Sequence, residues 1–172
     1  MFPSFSYEMP TRVEFGRGAA LRTGEEVGRI GGTRVLLISD EGVRRAGLLD
    51  RVTESLDHAS VPWDLFLDVE PNPKDRNVHA AAAAVSKSGA DCLVAVGGGS
   101  PIDCAKAVAI VAAAGGKVRE YEGRFKTSVL PLPIIAVPTT AGTASELTFG
   151  SVITDTAAKF KFTVKSPLLA PK

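Results

Sequence analysis

Neither sign of charge is in excess in this chain: 20 Lys and Arg face 19 Asp and Glu, for a formal net charge of +1. Nucleic acid and acidic lipid surfaces are recognised through a basic surplus, so neither is an expected partner, and a small molecule or another protein is. No basic stretch followed by an apolar one opens the sequence, and no apolar run reaches the roughly 18 residues that a membrane span requires. A cytoplasmic protein without membrane association is therefore expected. The two cysteines, Cys92 and Cys104, sit in apolar runs without CxxC spacing, which excludes a disulfide scaffold and predicts buried free thiols. The two histidines, His58 and His79, have no clustered N or O ligands around them, so they read as surface residues and no metal centre is expected in this chain.

What the chain does have is aliphatic residues: 45% of it is hydrophobic but only 6% aromatic, the composition of one globular domain with an aliphatic core. Continuous apolar runs alternate with helical stripes. "TRVLLISD" (33–40) predicts a strand buried on both faces. "EGVRRAGLLDRVTESLDHA" (41–59) places Val43, Ala46, Leu48, Leu49, Val52 and Leu56 along one helical stripe. "VPWDLFLD" (61–68) predicts a second strand, "RNVHAAAAAVSKSG" (76–89) a helix closed by Gly89, "DCLVAV" (91–96) a third strand, "SPIDCAKAVAIVAAAGG" (100–116) a third helix and "LPIIAVPTT" (132–140) a fourth strand. Regular alternation predicts an α/β fold with a parallel sheet and right-handed crossovers. "SVITDTAAKFKFTVKS" (151–166) departs from it and predicts an antiparallel hairpin at the sheet margin, turning around Asp155 to Ala158.

The third strand runs into Gly97, Gly98, Gly99 and Ser100. Glycines between a buried strand and a helix let backbone approach a ligand closely, and the helix start offers free N–H groups to an anion. Pro101 suits the first helical turn, and Ser100 suits its cap. The pattern is not GxGxxG, and a glycine turn also serves plain packing. Asp40, ending the first strand, suits either the hydroxyls of an adenosine ribose or the cap of the next helix, and the two roles can coexist. "PTTAGTASELT" (138–148) sets Thr139, Thr140 and Thr143 at the end of the fourth strand, where hydroxyls suit phosphate, ribose or a helix cap.

Together, "SDEGVRRAGLLDRV", "EPNP", "GGGSPIDCAKAVA" and "PTTAGTASELT" resemble, in this order, the amino-terminal domain of the iron-containing alcohol dehydrogenase family, and the likeness runs from Tyr7 to Lys172. The resemblance implies a Rossmann-like parallel sheet with flanking helices and a terminal hairpin, a dehydroquinate-synthase-like architecture, serving as a dinucleotide-binding domain over residues 1–172. By position, Gly97, Gly98, Gly99 and Ser100 would hold the pyrophosphate, Asp40 the adenosine ribose of NAD in preference to NADP, and Asn72 would line the adenine side. Thr139, Thr140 and Thr143 would contact phosphate and the nicotinamide half. Asp103 and Lys106 match the family's D..K, and Lys161 would approach the nicotinamide ribose.

The family binds divalent iron or zinc through one aspartate and three histidines of a second, helical domain. That ligand set has no counterpart in these residues. The resemblance thus implies an NAD-dependent alcohol dehydrogenase acting on a small alcohol or aldehyde, of which this chain holds the cofactor without turning over. It also implies an incomplete sheet edge. The other readings are a non-catalytic binding or assembly subunit, such as a homodimer joined through that edge, and a relative acting on another polyol such as glycerol.

Overall fold

The computed structural model describes residue 4, residues 9–124 and residues 128–172; Tyr7 and Glu8, where the family likeness begins, lie outside them. Four parallel strands form the main sheet: β1 (Val35–Ile38), β2 (Trp63–Phe66), β3 (Cys92–Gly97) and β5 (Ile134–Pro138), in the order β2-β1-β3-β5. Central β1 and β3 are buried along their whole length. Their apolar runs are unbroken because both faces are covered. Leu36, Ile38, Leu93 and Ala95 face one core, while Val35, Leu37, Val94 and Val96 face the other.

Helices α1 (Thr23–Arg29), α2 (Glu41–Arg45) and α3 (Asp50–His58) cover one side, through Val27, Val43, Val52 and Leu56. Helices α4 (Asp75–Ser88) and α5 (Gly99–Ala114) cover the other. Gly89 ends α4 in the left-handed conformation at φ +72°, the role expected of it.

The single stripe read across 41–59 is two helices. Gly47 adopts φ +68°, its N–H donates to the Arg44 carbonyl and the Leu48 N–H to the Val43 carbonyl. This paired closure stops a helix at its C-terminus. Leu48 falls in the break and is 47% exposed, while Leu49 is 4% exposed.

The expected hairpin forms, as β6 (Gly150–Asp155) and β7 (Phe160–Lys165), but not at the margin of the parallel sheet. With the short β4 (Gly123–Arg124) it makes a separate three-stranded sheet, ordered β4-β7-β6. The cause is α5, whose Ile102, Cys104, Ala105, Val108, Ala109 and Ile110 are all buried. A helix apolar on every side must be covered on every side. The parallel sheet covers one face, and Ile153, Phe162 and Val164 of the hairpin join the same core from beyond it. At the outer edge of β5, the Lys172 N–H donates to the Ile134 carbonyl at 2.9 Å. Among the described residues no strand pairs with that edge, and no helix is long and apolar enough to cross a membrane.

Both cysteines are free and buried, as their apolar surroundings predict. Burial pushes each thiol from an ordinary 9.0 up to about 12. Thiols of the unfolded chain ionise first, so the stability these groups contribute is complete below pH 9 and is lost as pH climbs toward 12. At pH ~10 the loss is on the order of 1 kcal/mol per thiol. The urea midpoint of the Cys92→Ala/Cys104→Ala double variant should therefore fall less between pH 8 and 10 than that of the unsubstituted chain. Equal falls would assign the alkaline loss to other groups.

Candidate functional site

The chain leaves β1 for β2 on one side and reaches β5 from β3 on the other, so the sheet order reverses between β1 and β3. Open α/β sheets bind ligands in the crevice beyond the carboxyl ends of the strands at such a reversal. Asp40 lies just past β1, Gly98 and Gly99 just past β3, and Thr139 to Thr143 just past β5. One Asp40 oxygen accepts the Val43 N–H at 2.9 Å, so the residue caps α2, and its backbone bridges to Asp68.

Close packing surrounds the three glycines and excludes a side chain most firmly at Gly97. A Cβ on Gly97, which adopts φ +147°, would lie 2.6 Å from Pro101 Cγ; one on Gly98 would lie 2.9 Å from Thr140 Oγ1, and one on Gly99 3.1 Å from Thr143 Cγ2. The loop after β5 is pressed onto the turn after β3, and the Thr139 N–H donates to the Gly97 carbonyl at 2.9 Å. Gly98 is the N-cap of α5, and no side chain caps that helix. Its first-turn N–H groups are left open for an anion. Ser100 does not cap, contrary to expectation: it sits inside the helix, and its hydroxyl accepts the Asn72 N–H at 3.2 Å. The cap thus falls on Gly98, two residues before Ser100.

Beside this turn lies a cleft of about 760 Å³ between the start of α5 and the hairpin. Asn72, Gly99, Ser100, Asp103, Thr143 and Lys161 all line it. Lys161 Nζ donates to Asn72 Oδ1 at 2.7 Å. Asn72 itself has φ +54°, and its carbonyl accepts Lys74 Nζ at 3.0 Å and Thr154 Oγ1 at 3.3 Å. Lys159, two residues before Lys161, sits in the hairpin turn. Thr139 and Thr140 open instead onto a neighbouring hollow of about 510 Å³, with Glu146 and Leu147. Asp40 stands apart from both.

Asp103 and Lys106 are spaced to share one face of α5. Asp103 accepts the Val152 N–H at 2.9 Å through Oδ2, and its carbonyl accepts the Ser151 hydroxyl at 2.7 Å. Burial raises the Asp103 carboxyl above the usual range, partly offset by that N–H and by the charge of Lys106. Lys106 is wholly buried. Its Nζ donates to the Ser145 carbonyl at 2.6 Å, the Gly150 carbonyl at 2.9 Å and Thr148 Oγ1 at 3.3 Å. Burial pulls this ammonium down to about 8 against the pull of Asp103 and Glu146. Ser145, Thr148, Phe149, Val152 and Lys165 also line the cleft. The Ser145 hydroxyl belongs to the donor-rich segment expected at the end of the fourth strand, whereas Thr148, Phe149, Val152 and Lys165 were not expected in a site. For Val152 and Lys165 the available signal was the hairpin alternation, which sets them on the face opposite buried Ser151, Ile153 and Val164.

The chain matches the family model described as iron-containing alcohol dehydrogenase over residues 10–172. The chain belongs to that family. It is 43% identical over 168 residues to a choline dehydrogenase of Bacillus subtilis, covering 96% of this chain and 42% of that relative. The crystal structure of a 1,3-propanediol oxidoreductase superposes with a TM-score of 0.93 at 40% identity, over 98% of this chain and 44% of that one. A sulfoacetaldehyde reductase from Bifidobacterium kashiwanohense, solved in complex with NAD+, gives a TM-score of 0.88 at 29% identity, over 99% and 45%. The chain thus spans less than half the length of these relatives.

The iron of the family name finds no place among the described residues: no group of three or more His, Cys, Asp or Glu could hold a metal ion. His79 instead accepts the Val118 N–H through Nε2 at 3.5 Å, and His58 is the last residue of α3.

The packing around the turn sets a clear contrast between glycines. Gly97→Ala combines a positive φ with a clash against the rigid Pro101 ring and should cost about 1–3 kcal/mol. Gly28→Ala in α1, where an added Cβ meets nothing within 4 Å, should gain about 0.5–1 kcal/mol. Urea unfolding of both variants checks the pair; an unchanged midpoint for Gly97→Ala would remove the packing argument.

Proposed function

We propose that this chain is the dinucleotide-binding domain of an NAD-dependent alcohol dehydrogenase, which interconverts a small alcohol and its aldehyde by hydride transfer. The observation that carries the reading is the uncapped start of α5, set at the sheet reversal between the Asp40 carboxylate and the cleft beside the hairpin. Family membership supports the chemistry. One extended dinucleotide accounts for the whole arrangement. Its pyrophosphate would lie on Gly97, Gly98, Gly99 and Ser100, with Thr139, Thr140 and Thr143 alongside. Asp40 would receive the adenosine ribose while keeping its cap on α2, since a carboxylate accepts more than one hydrogen bond. The nicotinamide half would enter the cleft beside Asp103.

Asn72, expected on the adenine side, is assigned here to the nicotinamide end with Lys161, because the two side chains are bonded to each other on the cleft wall. Lys161 keeps further N–H donors free to reach a ribose hydroxyl. Hydride transfer also needs the substrate oxygen polarised as charge develops. The described residues do not fit a metal ion for that task, so substrate activation is assigned to parts of the protein beyond this domain.

A carboxylate at the adenosine ribose repels a 2′-phosphate, so NAD should bind more tightly than NADP in titration calorimetry. Asp40→Ser keeps a capping oxygen but removes the charge. It should weaken NAD about tenfold, roughly 1.4 kcal/mol, and bring the two cofactors within about twofold of each other. Tighter binding of NADP by the unsubstituted chain would overturn the role of Asp40, and binding of neither would overturn the cofactor reading.

A further inference from the structure

Lysine is almost never fully buried unless its charge is compensated, yet Lys106 has no exposed surface. Its hydrogen bonds go to two carbonyls and a hydroxyl, not to a carboxylate. An apolar side chain of similar length would fill the space without burying a charge. What the ammonium brings is geometry. Its three donors meet three oxygens, on Ser145 and Thr148 of the loop that joins β5 to β6 and on Gly150, which opens β6.

That loop does not hold its shape by local preference. Ala144 adopts φ +53°, a conformation that side chains with a Cβ disfavour and that persists where surrounding contacts impose it. The Leu147 and Thr148 N–H groups both donate to the Ala144 carbonyl, so the turn is tight around the strained residue. The same loop supplies Thr143, Ser145, Leu147, Thr148 and Phe149 to the cleft wall. Lys106 therefore ties the helix whose start forms the anion site to the loop that faces it.

We propose that Lys106 is a positioning residue for the bound cofactor: its buried ammonium clamps the loop of residues 143–149 and the start of β6 against α5, and so fixes the wall that receives the nicotinamide half. The proposal rests on the reading of the cleft as an NAD site. It assigns Lys106 no contact with the cofactor. Asp40 follows β1 and does not line the cleft that this loop walls, so the clamp bears on one half of the dinucleotide and not on the other.

The test compares the 172-residue chain with Lys106→Met by titration with NAD and with AMP, and by hydrogen exchange at the Leu147 and Thr148 amides. Lys106→Met should keep its far-ultraviolet circular dichroism, lose NAD affinity by about tenfold or more, hold AMP affinity within about twofold, and exchange the two loop amides about tenfold faster than those of β3. Thr148→Val, which removes one acceptor and leaves the ammonium in place, should weaken NAD about threefold with AMP unchanged, and carries the test if Lys106→Met does not fold. NAD affinity unchanged in a folded variant overturns the clamp alone. Equal losses of NAD and AMP overturn it too, since a general loosening would do the same. An unsubstituted chain that binds neither ligand overturns the cofactor reading on which the proposal stands.

Discussion

The constraint on which this structure depends is the burial of α5 on every side. An amphipathic helix could lie on the sheet with one face in water, but α5 offers no such face. It has to run between the parallel sheet and a second layer, and the hairpin of β6 and β7 exists as that layer. Two consequences follow from one packing requirement. The start of α5 is fixed at the carboxyl end of β3, with its N–H groups aimed out of the sheet. The hairpin is held over that start, so a cleft forms between them.

Polar groups at the mouth of the cleft are arranged to relieve the cost of this burial. The two charged side chains on the hairpin-facing side of α5 both terminate on backbone of the β5–β6 connection and of β6 itself. A buried carbonyl left without a partner costs about 1–3 kcal/mol, and the Lys106 ammonium satisfies those of Ser145 and Gly150 together. The same bonds set the outline of the cleft. Stability and site geometry here are properties of the same atoms, which is why the side chains concerned lie in the helix after the glycines and not in a peripheral loop.

The parallel sheet was legible from the residues alone because burial on both faces turns β1, β3 and β5 into continuous aliphatic runs, and the glycine turn was legible because it interrupts one of them. The break between α2 and α3 was hidden by a stripe that keeps helical spacing across Gly47, so the periodicity of the apolar residues masks the glycine that ends the helix. The place of the hairpin was not readable, because alternation identifies strands without saying which layer they join. Nor was the role of Lys106, since its acceptors lie 39 to 44 residues further along the chain and meet only after the hairpin folds back. The bond between Asn72 and Lys161 was hidden for a similar reason: the two residues are 89 positions apart.

Asn72 carries a further consequence. It lies between Pro71 and Pro73 at φ +54°, although a following proline steers a residue toward extended backbone. The conformation is sustained by bonds to its amide, its carbonyl and its carboxamide from three separate parts of the chain. Flanking prolines also leave the unfolded chain fewer conformations to lose. This wall of the cleft is therefore ordered before any ligand arrives, and a ligand that lies along it binds without the entropic cost of organising it.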